Sequence, residues 1–272
     1  SFPPIEMLKA LIDSDILNKN DKINLFVDVR DGILFETLEF PIELIFHKKH
    51  IKEMKEILFS RAKSIFFTNP YLLTLESSNY YSKSHVIFNG FIQSDRPPLP
   101  RSIPNKVKFR LGYFGGLTKS TRGQNIKNLL IDINNCVARN HIELYFIGDF
   151  SAKEQALMGK YNFVKVFSTI PYKEAQIEMH NCDALLLVAT VSKRKSLLTG
   201  KIWDYLSQNK PIVYYGLKGM AFELLRDHNI LISHEDLLKS FDNGQFDIND
   251  KFKLPLELTI NEQFSKIRNL IR

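Results

Sequence analysis

The sequence predicts an α/β protein whose second half forms a doubly wound parallel sheet. From residue 107 onward, short apolar runs alternate with amphipathic segments, which is typical of parallel strands joined by helices on both faces of a sheet. Before this region lies a proline-rich stretch that can pack neither as a helix nor as a central strand. The chain therefore divides into a first domain at 1–92, a linker at 93–106, a second domain at 107–253 and a final helical segment at 254–272.

Three apolar runs of strand length and three helical patterns follow one another in the first domain. The strands are predicted at 23–31, 64–69 and 85–90, and the helices at 5–19, 36–62 and 70–79. The helix at 36–62 alternates basic and acidic residues, which favours a solvent-exposed face over a membrane-surface helix. His47 and His50 lie three residues apart on it, and without a nearby Cys or carboxylate cluster we interpret them as surface residues.

Six strands and the helices between them are predicted in the second domain. The strands fall at 107–115, 142–148, 163–168, 184–190, 211–216 and 230–233, and the helices at 124–139, 151–161, 173–182, 199–208 and 220–228. Cys136 and Cys182 each fall inside a predicted helix among apolar residues. This position favours buried, reduced thiols over a disulfide or a metal site.

The composition is that of a globular protein with a basic surface. The chain has 272 residues, a formal net charge of +7 and 44% hydrophobic residues. Its basic residues are spread along the chain without a nucleic-acid motif, so we expect no nucleic-acid partner. A basic surface suits anionic sugar nucleotides and anionic membranes equally well. Because no apolar run is long enough to cross a bilayer and no signal peptide is evident, we expect a cytoplasmic protein, with peripheral contact at the inner face of the membrane as an option.

The segment at 197–213 carries the clearest functional signal. Thr199 and Gly200 lie where a helix begins, and Lys201 and Asp204 are three residues apart, so they project from the same side of its first turn. The free amide groups at the start of a helix attract phosphate. A carboxylate one turn further along can accept hydrogen bonds from two sugar hydroxyls. The segment therefore predicts a site for a nucleotide diphosphate.

The segment TGKIWDYLSQNKPIV resembles the donor-site motif of family 4 glycosyltransferases, which have the GT-B fold of two Rossmann-like domains. In that family the acidic residue of this helix binds the ribose of the sugar nucleotide, which implies this role for Asp204. The family also has a Glu eight positions earlier, where this chain has Ser196. The resemblance covers the chain from the first predicted strand to the last helix. It implies an incomplete first Rossmann-like domain, a full second one, and a last helix that crosses back onto the first domain.

A loop with two glycines and two cations follows the first strand of the second domain. Gly115 and Gly116 permit backbone conformations that other residues avoid, and Lys119 and Arg122 could neutralise a diphosphate, although a plain tight turn explains the glycines equally well. In a doubly wound sheet this loop and the helix at Lys201 open onto the same edge. By resemblance, the glycine lies against the donor and Arg122 contacts the phosphates, with Lys119 as a second candidate.

Polar residues end the first strand of the first domain. Asp28, Arg30 and Asp31 lie at its carboxyl end, where ligands collect in open α/β sheets. A structural pair between Arg30 and Asp31 is an equally good interpretation of the pattern alone. By resemblance, Asp31 orients or deprotonates an acceptor hydroxyl, and Arg30 is its partner or contacts a phosphate.

The chemistry of sugar transfer explains these residue types. The departing nucleotide diphosphate gains negative charge, and stabilising that charge is the larger part of the barrier. The predicted second domain has no Asp-x-Asp pair for a divalent metal, so we expect Arg122 and Lys201 to take this role without a metal or other cofactor. The nucleobase would lie against the turn that leads to Tyr172, whose ring could act as a stacking platform.

The leading hypothesis is a metal-independent glycosyltransferase that moves a sugar from a nucleotide-diphosphate donor to an acceptor hydroxyl. The resemblance implies retention of anomeric configuration, a saccharide or lipid-linked acceptor, and a place in bacterial surface polysaccharide or glycolipid synthesis. One alternative is a sugar-nucleotide epimerase of the same architecture, which would need acid and base residues around the sugar. The other is a module that binds sugar nucleotides without turning them over.

Overall fold

A computed structural model of the chain describes residues 24–30, 43–93, 108–117, 122–189, 198–242 and 254–271, without the side chains of 43–51, 138 and 241–242. The chain forms two compact units, each with its own parallel sheet. One comprises Ser1–Gly90, Arg194–Leu198 and Glu257–Arg272, and the other comprises Phe91–Lys193 and Thr199–Leu256. Nearly all of the predicted linker at 93–106 lies outside the described residues.

The first unit contains a parallel sheet of three strands in the order β1-β2-β3 among its described residues. The strands are β1 (Phe26–Val29), β2 (Ser64–Phe67) and β3 (Ser84–Val86), with helix α1 (Glu43–Arg61) and helix α2 (Pro70–Glu76) between them in the chain. All three predicted strands are confirmed. Phe59 of α1 and Phe67 of β2 are both fully buried and pack edge to face at 6.1 Å, which fastens α1 to the sheet.

The side chain of Asn69 caps the start of α2 by accepting a hydrogen bond from the backbone N–H of Leu72 at 2.9 Å. Asn69→Ala should therefore lower the free energy of unfolding by about 1 kcal/mol, measured by chemical denaturation. Asn69→Ser keeps an acceptor at the cap and should retain most of that stability. Equal losses in both variants would contradict the capping role.

The last helix, α9 (Ile260–Ile271), belongs to the first unit. Gln263 is buried on it, accepts a hydrogen bond from the backbone N–H of Phe88 at 2.9 Å and donates one to the carbonyl of Glu257 at 2.6 Å. Gly90 ends the β3 loop with a φ of +74°, and a Cβ there would lie 3.0 Å from the backbone N of Ile260. A glycine at this position therefore lets the helix backbone approach the loop.

The second unit is a six-stranded parallel sheet in the order β6-β5-β4-β7-β8-β9. Counted from its own first strand, this order is 3-2-1-4-5-6, as in dinucleotide-binding doubly wound domains. The strands are β4 (Phe109–Phe114), β5 (Ile142–Ile147), β6 (Val164–Phe167), β7 (Ala184–Val188), β8 (Ile212–Tyr215) and β9 (Leu231–Ser233). The order reverses between β4 and β7, so the loops that follow these two strands frame a crevice at the carboxyl edge of the sheet.

Six α-helices accompany this sheet among the described residues. They are α3 (Arg122–Asn135), α4 (Ala152–Met158), α5 (Tyr172–Asn181), α6 (Lys201–Ser207), α7 (Met220–Asp227) and α8 (His234–Asp242). The core between the layers combines aliphatic and aromatic side chains, and Leu130 of α3, Leu144 of β5 and Leu186 of β7 have no exposed surface. Within the described ranges, no helix combines the length and the apolar composition that a bilayer crossing requires.

The sequence patterns do not predict α8. Its start has a capping arrangement in which the hydroxyl of Ser233 accepts from the backbone N–H of Asp236 at 3.1 Å and donates to the Asp236 carboxylate at 2.7 Å. The sequence does contain a motif that could have indicated this helix, namely Ser-x-x-Asp followed by two leucines.

The prediction that both cysteines lie inside helices is wrong. Helix α3 ends at Asn135, short of the predicted 139, and both Cys136 and Cys182 have the extended backbone of a residue that follows a helix. Two consecutive asparagines before Cys136 favour an early end of α3, because asparagine is a poor helix former. Neither cysteine forms a disulfide and both are buried, as expected, and burial raises the pKa of Cys182 to about 12.

Candidate functional site

The start of α3 is fastened to the end of β7 at the crevice of the second unit. The guanidinium Nε of Arg122 donates to the carbonyl of Val188 at 3.1 Å, and the amide of Asn125 donates to the carbonyl of Ala189 at 2.9 Å. Arg122 is therefore held at the point where the strand order reverses. Asn125, which the sequence patterns do not single out, fixes the same junction.

Gly115 and Lys201 come together across this crevice. Gly115 directly follows β4 with a φ of +112°, a conformation that residues with a Cβ rarely adopt. A Cβ built on it would lie 2.6 Å from both Cε and Nζ of Lys201. The loop after β4 and the first residue of α6 therefore lie next to each other. This agrees with the expectation that both open onto the same edge of the sheet.

Gly148 is a part of the site that the sequence analysis does not single out. A Cβ on this residue, which directly follows β5, would lie 2.6 Å from the backbone carbon of Gly115. Gly116 has a similar constraint, since a Cβ there would lie 2.9 Å from the carbonyl oxygen of Asp149. The loops after β4 and β5 therefore pack backbone against backbone. In the sequence, Gly115 and Gly148 each directly follow an apolar strand, and this repeated pattern could have indicated the close contact between the two loops.

The ammonium group of Lys201 is partly withdrawn from water beside an aromatic ring. Its Nζ lies 3.0 Å from the hydroxyl of Tyr113 and 4.3 Å from the centroid of the same ring. Burial and the neighbouring guanidinium of Arg122 lower the pKa of Lys201 to about 8. Two cations held close together in a partly buried place repel each other, and an anion bound between them would relieve that repulsion.

Asp204 and Tyr172 are joined by a hydrogen bond at the other end of the site. The hydroxyl of Tyr172 donates to Oδ1 of Asp204 at 2.8 Å, and this bond adds to burial in raising the pKa of Tyr172. Tyr172 is 64% exposed as a residue. A carboxylate has about four acceptor positions, so Asp204 keeps capacity for further donors. The two residues meet through the tyrosine hydroxyl, which leaves the ring open to a stacking partner.

The start of α6 agrees with the predicted position. Gly200 precedes Lys201 as the N-cap residue, and the carbonyl of Thr199 accepts from the backbone N–H of Ile202 at 3.1 Å. The hydroxyl of Thr199 is buried without a hydrogen-bond partner among the described residues. Since α6 has seven residues, its attraction for an anion would come from the amides of its first turn more than from a long helix dipole.

The remaining predicted residues either fall outside the described residues or belong to the first unit. Lys119 and Asp31 fall outside the described residues, as does Ser196. Arg30 belongs to the first unit, where its Nε donates to Oδ2 of Asp28 at 2.8 Å and its Nη1 donates to Oδ1 of Asn89 at 2.6 Å. Its described ion-pair partner is thus Asp28, two residues earlier, whereas the pattern suggested Asp31. Over the described ranges, no three His, Cys, Asp or Glu side chains converge in a group that could hold a metal ion.

Comparison with solved structures places the chain among known folds. A trehalose-6-phosphate synthase, OtsA, superimposes with a TM-score of 0.62 and 12% sequence identity over 98% of this chain and 76% of that one. The UDP-forming α,α-trehalose-phosphate synthase of Burkholderia xenovorans, solved with glucose-6-phosphate, gives a TM-score of 0.63 and 10% identity over 98% of this chain and 71% of that one. The chain has the GT-B fold.

A third structure of this fold was solved with a nucleotide. A mutant of TarM from S. aureus, in complex with fondaparinux, α-GlcNAc-glycerol and UDP, gives a TM-score of 0.55 and 12% identity over 97% of this chain and 54% of that one. No protein-family model matches the chain, and no curated protein sequence matches it significantly. At these identities the likeness shows the architecture, of which the six-stranded unit is the complete doubly wound domain.

Proposed function

We propose that this chain is a glycosyltransferase that moves a sugar from a nucleotide-diphosphate donor to an acceptor hydroxyl. The observation that carries the proposal is the meeting of Gly115, Arg122 and Lys201 at the strand-order reversal, with Asp204 one turn further along α6. Such a crevice suits a pyrophosphate because it is positively charged and because the absence of a side chain on Gly115 lets the pyrophosphate approach the backbone closely. The GT-B fold supports the same conclusion.

Lys201 and Arg122 would act on the leaving group. As the bond between the sugar and the diphosphate breaks, negative charge grows on the phosphate oxygen that departs. Both cations are already in place, and Arg122 is held by its hydrogen bond to Val188, so little rearrangement is needed when the charge develops. We propose that these two side chains supply the stabilisation that other transferases obtain from a divalent metal.

Asp204 and Tyr172 would bind the nucleoside part of the donor. The carboxylate can accept hydrogen bonds from the ribose hydroxyls, and the exposed ring of Tyr172 beside it offers a stacking surface for the base. We propose uridine diphosphate as the nucleotide, because one structural neighbour is UDP-forming and another was solved with UDP.

The finer parts of the proposal follow the sequence resemblance to family 4 glycosyltransferases. The reaction would retain the anomeric configuration and need no metal. Arg30 and Asp31 would bind a saccharide or lipid-linked acceptor. The protein would act at the inner face of a membrane, in the synthesis of surface polysaccharide or glycolipid. Gly116, Lys119, Thr199 and Gly200 complete the proposed donor site.

Binding and turnover are tested separately. Titration calorimetry with UDP, GDP and ADP measures whether the crevice takes a nucleoside diphosphate, and no heat with any of them would contradict the proposal. Hydrolysis or transfer is then measured with UDP-glucose and UDP-N-acetylglucosamine, with and without a chelator. Binding without turnover of any donor would favour the module that only holds sugar nucleotides.

The affinity for UDP should depend on pH through Lys201. This residue must be protonated to attract the diphosphate, and its pKa in the empty site is about 8. A bound anion raises that pKa, so the affinity should change little just below pH 8 and fall about tenfold per pH unit above it, until the pKa of the complex is reached. The second ionisation of UDP, at about pH 6, affects only the acid side. Calorimetric titrations across this range check the prediction, and a flat alkaline profile would contradict it.

A further inference from the structure

Tyr113 occupies a place where an apolar residue would serve the core. It lies in β4 with 1% of its surface exposed, and its ring packs against Phe146 at 5.4 Å between centroids. Burying a hydroxyl carries a penalty unless the hydroxyl is hydrogen-bonded. Here the hydroxyl leaves the core and reaches the crevice, where it accepts from Nζ of Lys201 at 3.0 Å and donates to the carbonyl of Gly116 at 3.3 Å.

The aromatic ring of Tyr113 also contacts the ammonium group of Lys201. The ammonium lies 4.3 Å from the ring centroid, within the range of a cation–π interaction. A lysine side chain has four rotatable bonds and normally samples many positions. Two contacts from a single buried residue restrain the end of this side chain beside Gly115. The bond to Gly116 connects the same hydroxyl to the loop that follows β4.

We infer that Tyr113 is a positioning residue, which holds the Lys201 ammonium beside the Gly115 loop so that it meets the diphosphate of a nucleotide donor. The inference rests on the proposed function and extends it to a residue that would touch neither sugar nor phosphate. The competing interpretation is structural: the hydroxyl serves only to satisfy the carbonyl of Gly116. The two interpretations differ in whether removal of the Tyr113 hydroxyl changes the pKa of Lys201.

Among the described residues, two other charged groups act electrostatically on this pair. Arg122 acts on both Lys201 and Tyr113, and Glu154 of α4 acts on Tyr113. Burial raises the pKa of Tyr113 to about 12, so its hydroxyl stays neutral where Lys201 titrates. A neutral hydroxyl that accepts a hydrogen bond from an ammonium favours the charged form. Its removal should therefore lower the pKa of Lys201, whereas loss of a purely structural bond should not.

The test compares the wild type with Tyr113→Phe and, as a matched control, Tyr215→Phe. The control loses a tyrosine hydroxyl from β8 of the same sheet, where it donates to Asp132 at 2.8 Å. UDP affinity is measured by calorimetry from about pH 6 to about pH 10. For Tyr113→Phe we expect about fivefold weaker binding at neutral pH and an alkaline fall that begins about one pH unit lower than in the wild type. Tyr215→Phe should match the wild type in both respects.

A second measurement follows Lys201 directly in the empty protein. The side-chain carbon next to its amino group is observed by NMR as a function of pH, with Lys201→Met to assign the signal. A lower pKa of Lys201 in Tyr113→Phe supports the inference. Unchanged titration of Lys201 together with an unchanged UDP profile overturns it while the proposed function stands. If the wild type binds none of UDP, GDP and ADP, the proposed function and the inference both fail.

Discussion

Lys201→Met should weaken UDP binding by about 30- to 100-fold, in line with the loss of one hydrogen bond to a charged group. Methionine has nearly the same length as lysine, so the space beside Gly115 stays filled and the change isolates the charge. The rate of transfer should fall further, by about 100- to 1,000-fold, because the charge on the leaving diphosphate is greatest in the transition state. Calorimetry gives the first number, and initial rates at saturating donor give the second.

Lys218→Met is the matched control for this charge change. Lys218 lies in the same unit, is exposed, and has its ammonium 5.1 Å from the ring centroid of Phe222, so it too loses a cation beside an aromatic ring. It should bind UDP and turn over donor as the wild type does. If both variants weaken binding equally, the effect comes from the net charge of the surface, and the specific role of Lys201 is wrong. The alkaline fall in affinity should also be absent from Lys201→Met and present in Lys218→Met.

Asp204→Ala should remove the ability to recognise ribose. The wild type should bind UDP about 10- to 100-fold more tightly than 2′,3′-dideoxy-UDP, because the carboxylate accepts hydrogen bonds from the missing hydroxyls. In Asp204→Ala the affinity for UDP should fall to nearly that of the dideoxy compound, and the two nucleotides should become almost equal. Competition between them in a calorimetric titration gives the ratio directly.

Tyr172→Phe is the companion variant for Asp204. It keeps the ring that could stack on the base and removes the hydroxyl that donates to Asp204. Ribose selectivity should survive in this variant, since the carboxylate remains and its occupied oxygen becomes available. If Asp204→Ala still prefers UDP by the wild-type ratio, the ribose is recognised elsewhere and the assignment is wrong.

The sequence predicts the architecture of the second unit well because each level of its structure is local. Apolar runs locate the six strands, and the right-handed connection between parallel strands limits how they can be ordered. Lys201 and Asp204 can be predicted because both lie within one turn of a helix, where spacing alone determines the face. Arg122 and Gly115 follow from the rule that such loops share one edge of the sheet.

The features that the sequence does not predict depend on contacts between distant residues. Tyr113 reads as an ordinary core residue of a strand, and only the path of its side chain reveals that the hydroxyl reaches Lys201, 88 residues away. The bond between Tyr172 and Asp204 joins residues 32 apart in the chain and depends on how α5 and α6 lie beside each other. The helix boundary before Cys136 is decided by a weak local preference.

The contact between Gly148 and Gly115 limits how this crevice can be remodelled. Neither loop has a side chain where the two main chains touch, so an enlargement of one would push the other and move the backbone of the proposed donor site with it. Variants designed to change the choice of the proposed donor should therefore leave both loops intact and alter the residues around them instead. Tyr172 is the natural starting point, because most of its surface is exposed and its ring can be exchanged without disturbing that junction.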